Sequence, residues 1–116
     1  MSYPINGEYI NGNFTNATLN FRISSHDEAS GKFSGVLFEN QHTPNRIKHY
    51  IDGWFKFNRD KNSTSFYFKT PTDTWNLESP DLEGKNQFMV MNATRTPNDR
   101  SKPPTTLVLD AANKLP

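Results

Sequence analysis

Apolar side chains along this chain recur at every second position, and a period of two builds strands, not helices. Leu19, Phe21 and Ile23 alternate with Thr18, Asn20 and Arg22, the pattern of a half-buried strand. Over Lys32 to Glu39, Phe33, Gly35 and Leu37 share one face while Val36 and Phe38 share the other. Gly7 to Asn11, Tyr50 to Phe57, Thr64 to Lys69, Thr74 to Leu77, Phe88 to Met91 and Thr105 to Asp110 are expected as the remaining strands. Turn-forming stretches separate them: Ser24 to Gly31, a loop around Pro44, the charged run Asn58 to Asn62, Pro71 with Asp73, Ser79 to Lys85, and the polar stretch Thr94 to Pro104. No segment carries a helical period, and eight prolines interrupt the chain. Eight short strands with no helix between them predict an all-β fold. The expected architecture is an eight-stranded antiparallel up-and-down barrel, whose closure leaves no unpaired edge. With no internal repeat and no linker, residues 1–116 are read as one domain.

Hydrophobic residues make up only 33% of the chain, but nine Phe, four Tyr and two Trp supply a core of large side chains. That aromatic content argues against disorder. The net charge of +1, with acidic and basic residues interspersed, lacks the basic patch expected of a nucleic-acid binder. Without cysteine there is no disulfide framework and no thiolate chemistry. Met1 to Phe14 has no signal-peptide pattern and no stretch reaches the length of a membrane-spanning helix, so a soluble, cytoplasmic protein is expected, with secretion left open. Asn13, Asn16, Asn62 and Asn92 head glycosylation sequons that would matter only after export.

The opening Gly7-Glu8-Tyr9-Ile10-Asn11-Gly12-Asn13-Phe14-Thr15 resembles the first strand and turn of the avidin and streptavidin family. Gly31-Lys32-Phe33-Ser34-Gly35 is similar to the family's third strand, Phe88-Met89-Val90-Met91 to its Trp-Leu-Leu strand, and Thr105 to Asp110 to its last. The likeness runs through nearly the whole chain in order and spacing. It implies a barrel that binds a small molecule, biotin or a relative, and assembles as a dimer or tetramer.

Carried over residue by residue, the resemblance places Asn11 and Thr15 as donors to a ureido oxygen. Asn11 is equally well read as the start of an Asn-Gly turn. With Thr15 inward, Leu19, Phe21 and Ile23 also fall inward, in phase with the alternation. Leu37 stands where the family has a Tyr donor, and Glu39 where it has a small hydroxyl acceptor. Glu39 is read either as an acceptor in the pocket or as a solvated rim carboxylate. Phe66, Trp75 and Phe88 fall near the family's tryptophans, Pro103 near the fourth, and Asp73 at an inward position where the family has Thr. Val90 is taken as part of the same lining. The family's ureido-binding Asp falls at Ala111, or at Asp110 after a slip of one residue.

Enzyme motifs are missing: the three histidines have no metal-ligand spacing, and there is no nucleophile elbow, P-loop or dinucleotide fingerprint. The chain is therefore read as a non-enzymatic small-molecule-binding barrel, without cofactor or metal, in which biotin binding is weakened or replaced. The alternatives are an oligomeric barrel with no working pocket, and a lectin-like binder using exposed aromatics such as Trp54. Val36, Phe38, Phe55 and Phe57 are expected on the outside, where subunits would meet.

Overall fold

A computed structural model describes residues 5–12, 18–40, 43–58, 60, 62–80 and 88–114. Eight strands follow in order: β1 (Gly7–Ile10), β2 (Asn20–Asp27), β3 (Lys32–Glu39), β4 (Ile47–Asn58), β5 (Ser63–Lys69), β6 (Asp73–Pro80), β7 (Val90–Pro97) and β8 (Thr105–Lys114). Each pairs antiparallel with the next and β8 pairs back to β1, so the sheet closes into a barrel. Among the described residues no helix is long and apolar enough to cross a membrane.

The alternation seen in the sequence becomes inside and outside. Tyr9, Phe21, Ile23, Phe33, Leu37, Ile51, Phe55, Phe66, Phe68, Trp75, Leu77, Met91 and Leu109 are buried in one cluster. The rings interlock: Phe21 stacks on Phe68 at 5.0 Å, and Phe68 on Trp75 at 5.7 Å. Phe33 meets Phe66 edge-on at 5.8 Å. A barrel of eight strands has an interior just wide enough for side chains to fill. Here large rings fill it.

Several strands outrun their hydrophobic pattern. β2 continues through Ser24 to Asp27, where a turn was expected, with a bulge between Ile23 and Ser25. β7 starts at Val90, not Phe88, and runs to Pro97 through a stretch expected as loop. β8 continues to Lys114. Polar residues can pair in a ladder without leaving an apolar alternation to read.

Two expectations for the outer surface are corrected. Phe55 is buried and Phe57 packs partly against the core, because β4 turns Ile51, Gly53 and Phe55 inward. Its outward residues are Tyr50, Asp52, Trp54 and Lys56. Phe38 does face outward, but Arg22, Arg46 and Lys48 lie over its ring at 5.4, 4.8 and 5.8 Å and cover it. The phase of β8 is also decided. Tyr9 pairs with Ala111, which packs against the core, while Asp110 is exposed.

Candidate functional site: a charged cluster at the barrel mouth

Antiparallel order gathers the ends of β1, β3, β5 and β7 and the starts of β2, β4, β6 and β8 at one mouth. Glu39 closes β3, His49 lies near the start of β4, Asp73 opens β6, and Arg95 lies near the end of β7. All four sit on the inward phase of their strands. Arg95 Nη2 bonds Glu39 Oε1 and, at 2.9 Å, Asp73 Oδ2. The other oxygen of Glu39 meets His49 Nε2 at 2.8 Å. Thr72 Oγ1 donates to Asp73 Oδ2 at 2.6 Å, and the Asp73 backbone N–H donates to Thr70 Oγ1 at 3.2 Å. Among the described residues Asp73 Oδ1 accepts no hydrogen bond.

Both carboxylates are nearly removed from water, with side-chain exposures of 8% for Glu39 and 6% for Asp73. Burial alone pushes the Asp73 carboxyl up, but hydrogen bonds from Arg95 and Thr72 and the Arg95 charge outweigh it. Asp73 therefore stays below the ordinary carboxylate range. Burial likewise works against the Arg95 charge, and the bonds and charges of Asp73 and Glu39 reverse it, so Arg95 holds its proton more tightly than usual. Two carboxylates against one guanidinium leave the cluster one negative charge in excess when His49 is neutral.

Trp75 forms the apolar floor. It lies between Phe68 on one side and Arg95, whose Cζ sits 5.2 Å from the ring centroid, on the other. Its indole N–H is buried and has no acceptor among the described residues. Beside the cluster, the β5–β6 and β7–β8 connections frame a groove of about 750 Å³. Asp73 and Arg95 line it together with Pro71, Pro97, Lys102 and Pro103. Its character is therefore mixed, with charged groups among proline rings.

The structure brings together Glu39, Asp73 and Trp75 from the expected set. Glu39 is neither solvated nor unpaired: it is a buried carboxylate held by Arg95 and His49. Asn11 spends its side chain on the β1–β2 connection, accepting from Leu19 N–H at 2.8 Å and donating to Thr18 Oγ1 at 2.7 Å. Thr15 lies outside the described residues. Leu37 and Phe66 are fully packed core side chains. Phe88 is buried too, but it precedes β7 at the opposite end of the barrel, with a φ of 54°. Val90 takes the outward phase of β7, and Met91 occupies the interior in its place. Pro103 lines the groove.

Arg95 and His49 are the residues that sequence reasoning missed. Extending the period from Met91 and Ala93 gives Arg95, and extending it back from Gly53 and Ile51 gives His49. Neither is apolar, so neither advertised an inward position. Among the described residues no cluster of three His, Asp or Glu forms a metal site. Arg95 stands between the two carboxylates instead.

No protein family, no curated protein and no solved structure matches the chain.

Proposed function

We propose that this chain is a non-enzymatic binding module, avidin-like in its barrel, that takes a small molecule at the mouth and not in the middle of the barrel. The observation that carries this reading is the groove beside Asp73, a buried ionised carboxylate with an oxygen left open. Asp73 Oδ1 suits a ligand N–H donor, as in a ureido, amide or amine group. Pro71, Pro97 and Pro103 suit an apolar body. Against catalysis, the Thr70 and Thr72 hydroxyls both engage Asp73, and Glu39 and Asp73 are tied to Arg95. Biotin binding would be weakened or replaced, because Leu37 stands where the resemblance implies a Tyr donor, and Leu37, Phe21 and Phe68 pack the barrel interior.

A thermal-shift screen with biotin, desthiobiotin, ethyleneurea and small aliphatic amides tests this, since a ligand of the native state raises the melting temperature by mass action. Asp73→Asn should abolish any shift that the wild type shows. No shift from any compound would favour the other reading, a barrel kept for structure and assembly, which draws on the same filled interior.

Self-association is proposed as part of either reading. Tyr50 is 80% exposed on the outer face of β4, where a second copy could cover it. Light scattering should return a multiple of 13.3 kDa, a dimer or a tetramer. A 13.3 kDa particle at high concentration would remove this part of the reading.

A further inference from the structure

Away from the mouth, the outer wall of β4 to β7 carries an exposed aromatic platform beside a row of unused polar groups. Trp54 is 56% exposed and stacks on Tyr67, with ring centroids 4.5 Å apart and planes at 26°. Trp54 pairs with Tyr67, Tyr67 with Asn76, and Asn76 with Thr94, so the four form one outward row across four strands. The next row runs Lys56, Ser65, Glu78 and Asn92. A groove of about 430 Å³ lies along these rows, lined by Ser65, Asn76, Glu78, Asn92 and Thr94. Among the described residues the side chains of Asn76, Glu78, Asn92 and Thr94 make no hydrogen bond. Ser65 Oγ accepts one from Asn58 at 2.6 Å.

We propose that this face binds an uncharged carbohydrate chain. A pyranose ring has an apolar C–H face and a rim of hydroxyls, each both donor and acceptor. The wall offers the complement: a flat ring platform, then two amides that donate and accept, a carboxylate that accepts, and a hydroxyl. The row from Trp54 to Thr94 crosses three strand spacings, about 14 Å, which suits a short oligosaccharide more than a single ring.

Other occupants fit less well. A peptide strand would need an unpaired sheet edge, and the barrel is closed. A polyanion would need a cluster of cations, whereas Lys32, Lys56 and Lys69 are interspersed here with Asp52 and Glu78, an excess of only one charge. A second copy of the chain would need an apolar patch of about 800 Å² per partner, and beyond the two rings this wall is amide, hydroxyl and charge.

The chain has two tryptophans, and Trp75 is fully buried, so a change in tryptophan emission on adding a saccharide reports Trp54. Cellohexaose, chitohexaose, maltohexaose and mannohexaose are titrated to about 1 mM, the weak end of specific affinity. At least one should shift the emission to the blue. Trp54→Ala, followed by calorimetry because its reporter is gone, should weaken that binding at least about tenfold. Trp54→Phe should retain most of it, and Asn76→Ala with Asn92→Ala should weaken it. Asp73→Asn should leave it unchanged, which separates this wall from the mouth groove. The melting temperature of Trp54→Ala confirms that the barrel is intact. Binding by none of the four saccharides, binding indifferent to Trp54→Ala, or a Trp54-dependent dimer formed without saccharide would each overturn the proposal.

Discussion

Replacing Arg95 by Met should cost the barrel about 3 kcal/mol at neutral pH, roughly 12 °C in melting temperature. Glu39 and Asp73 both bond the same Nη2, so the substitution leaves two buried carboxylates facing each other with no cation between them. Removing one partner of a buried pair costs more than the pair contributes, because the charge left behind has lost its solvent as well. The sign of the pH dependence follows. In the wild type Asp73 is held below its ordinary range, so its stabilisation is complete above the unfolded carboxylate value of about 3.9. It is lost as pH falls through the lower folded value. In Arg95→Met, burial, the largest influence on Asp73, is opposed mainly by the Thr72 hydrogen bond and should push the carboxyl up, so the folded variant binds the proton more tightly and gains stability as pH falls from neutrality. The two stability curves should therefore converge toward acid. Urea unfolding from pH 7 to pH 4 measures this, and a constant gap across that range would show that Arg95 contributes packing alone.

Gly35→Ala should be as damaging, for a steric reason. Gly35 lies on the inward phase of β3, where a side chain would ordinarily improve packing. A Cβ there would sit 1.9 Å from the Arg22 carbonyl oxygen and 2.9 Å from its carbon. The register explains the approach: Ile23 pairs with Gly35 and Ser25 with Ser34, so β2 carries an extra residue and bends toward β3. The obstructing atoms are backbone atoms held in the ladder, so relief requires one strand to move. Overpacking costs about 1–3 kcal/mol where side chains can yield, and this site should reach or exceed the upper value. Against a total stability of roughly 5–15 kcal/mol, a single methyl group would consume a large share. Unfolding midpoints decide it: a loss under about 1 kcal/mol would mean that the bulge relaxes freely.

The eight strands were legible because their middles bury alternate large side chains. Phe33, Leu37, Ile51, Phe66 and Leu109 announce both the strand and its inward face. The strand ends were not, since Ser24 to Asp27 and Thr94 to Pro97 extend the ladders with polar residues. The same limit hid half of the mouth cluster. Asp73 and Glu39 stood out as carboxylates at inward positions, but their partners Arg95 and His49 lie on strand ends expected as loop. At Asn11 a turn residue and a ligand donor share one sequence pattern, and its side chain bonds to Thr18 and Leu19 in the β1–β2 connection. Val90 was drawn inward by carrying the alternation on from Phe88, but Phe88 has a φ of 54° and breaks the strand backbone before β7, so Met91 takes the inward phase and Val90 the outward one.

The claim that the ligand site is the mouth groove, and not the barrel's centre, is tested most directly by amide and side-chain NMR shifts during titration with biotin and ethyleneurea. The expected result is perturbation of the Asp73 amide, the Arg95 Nε–H and the Trp75 indole N–H, with the Leu37 and Phe21 amides unmoved. Biotin should bind no tighter than about 1 µM. Nanomolar biotin affinity, or shifts centred on Leu37 and Phe21 with Asp73 and Arg95 silent, would contradict it.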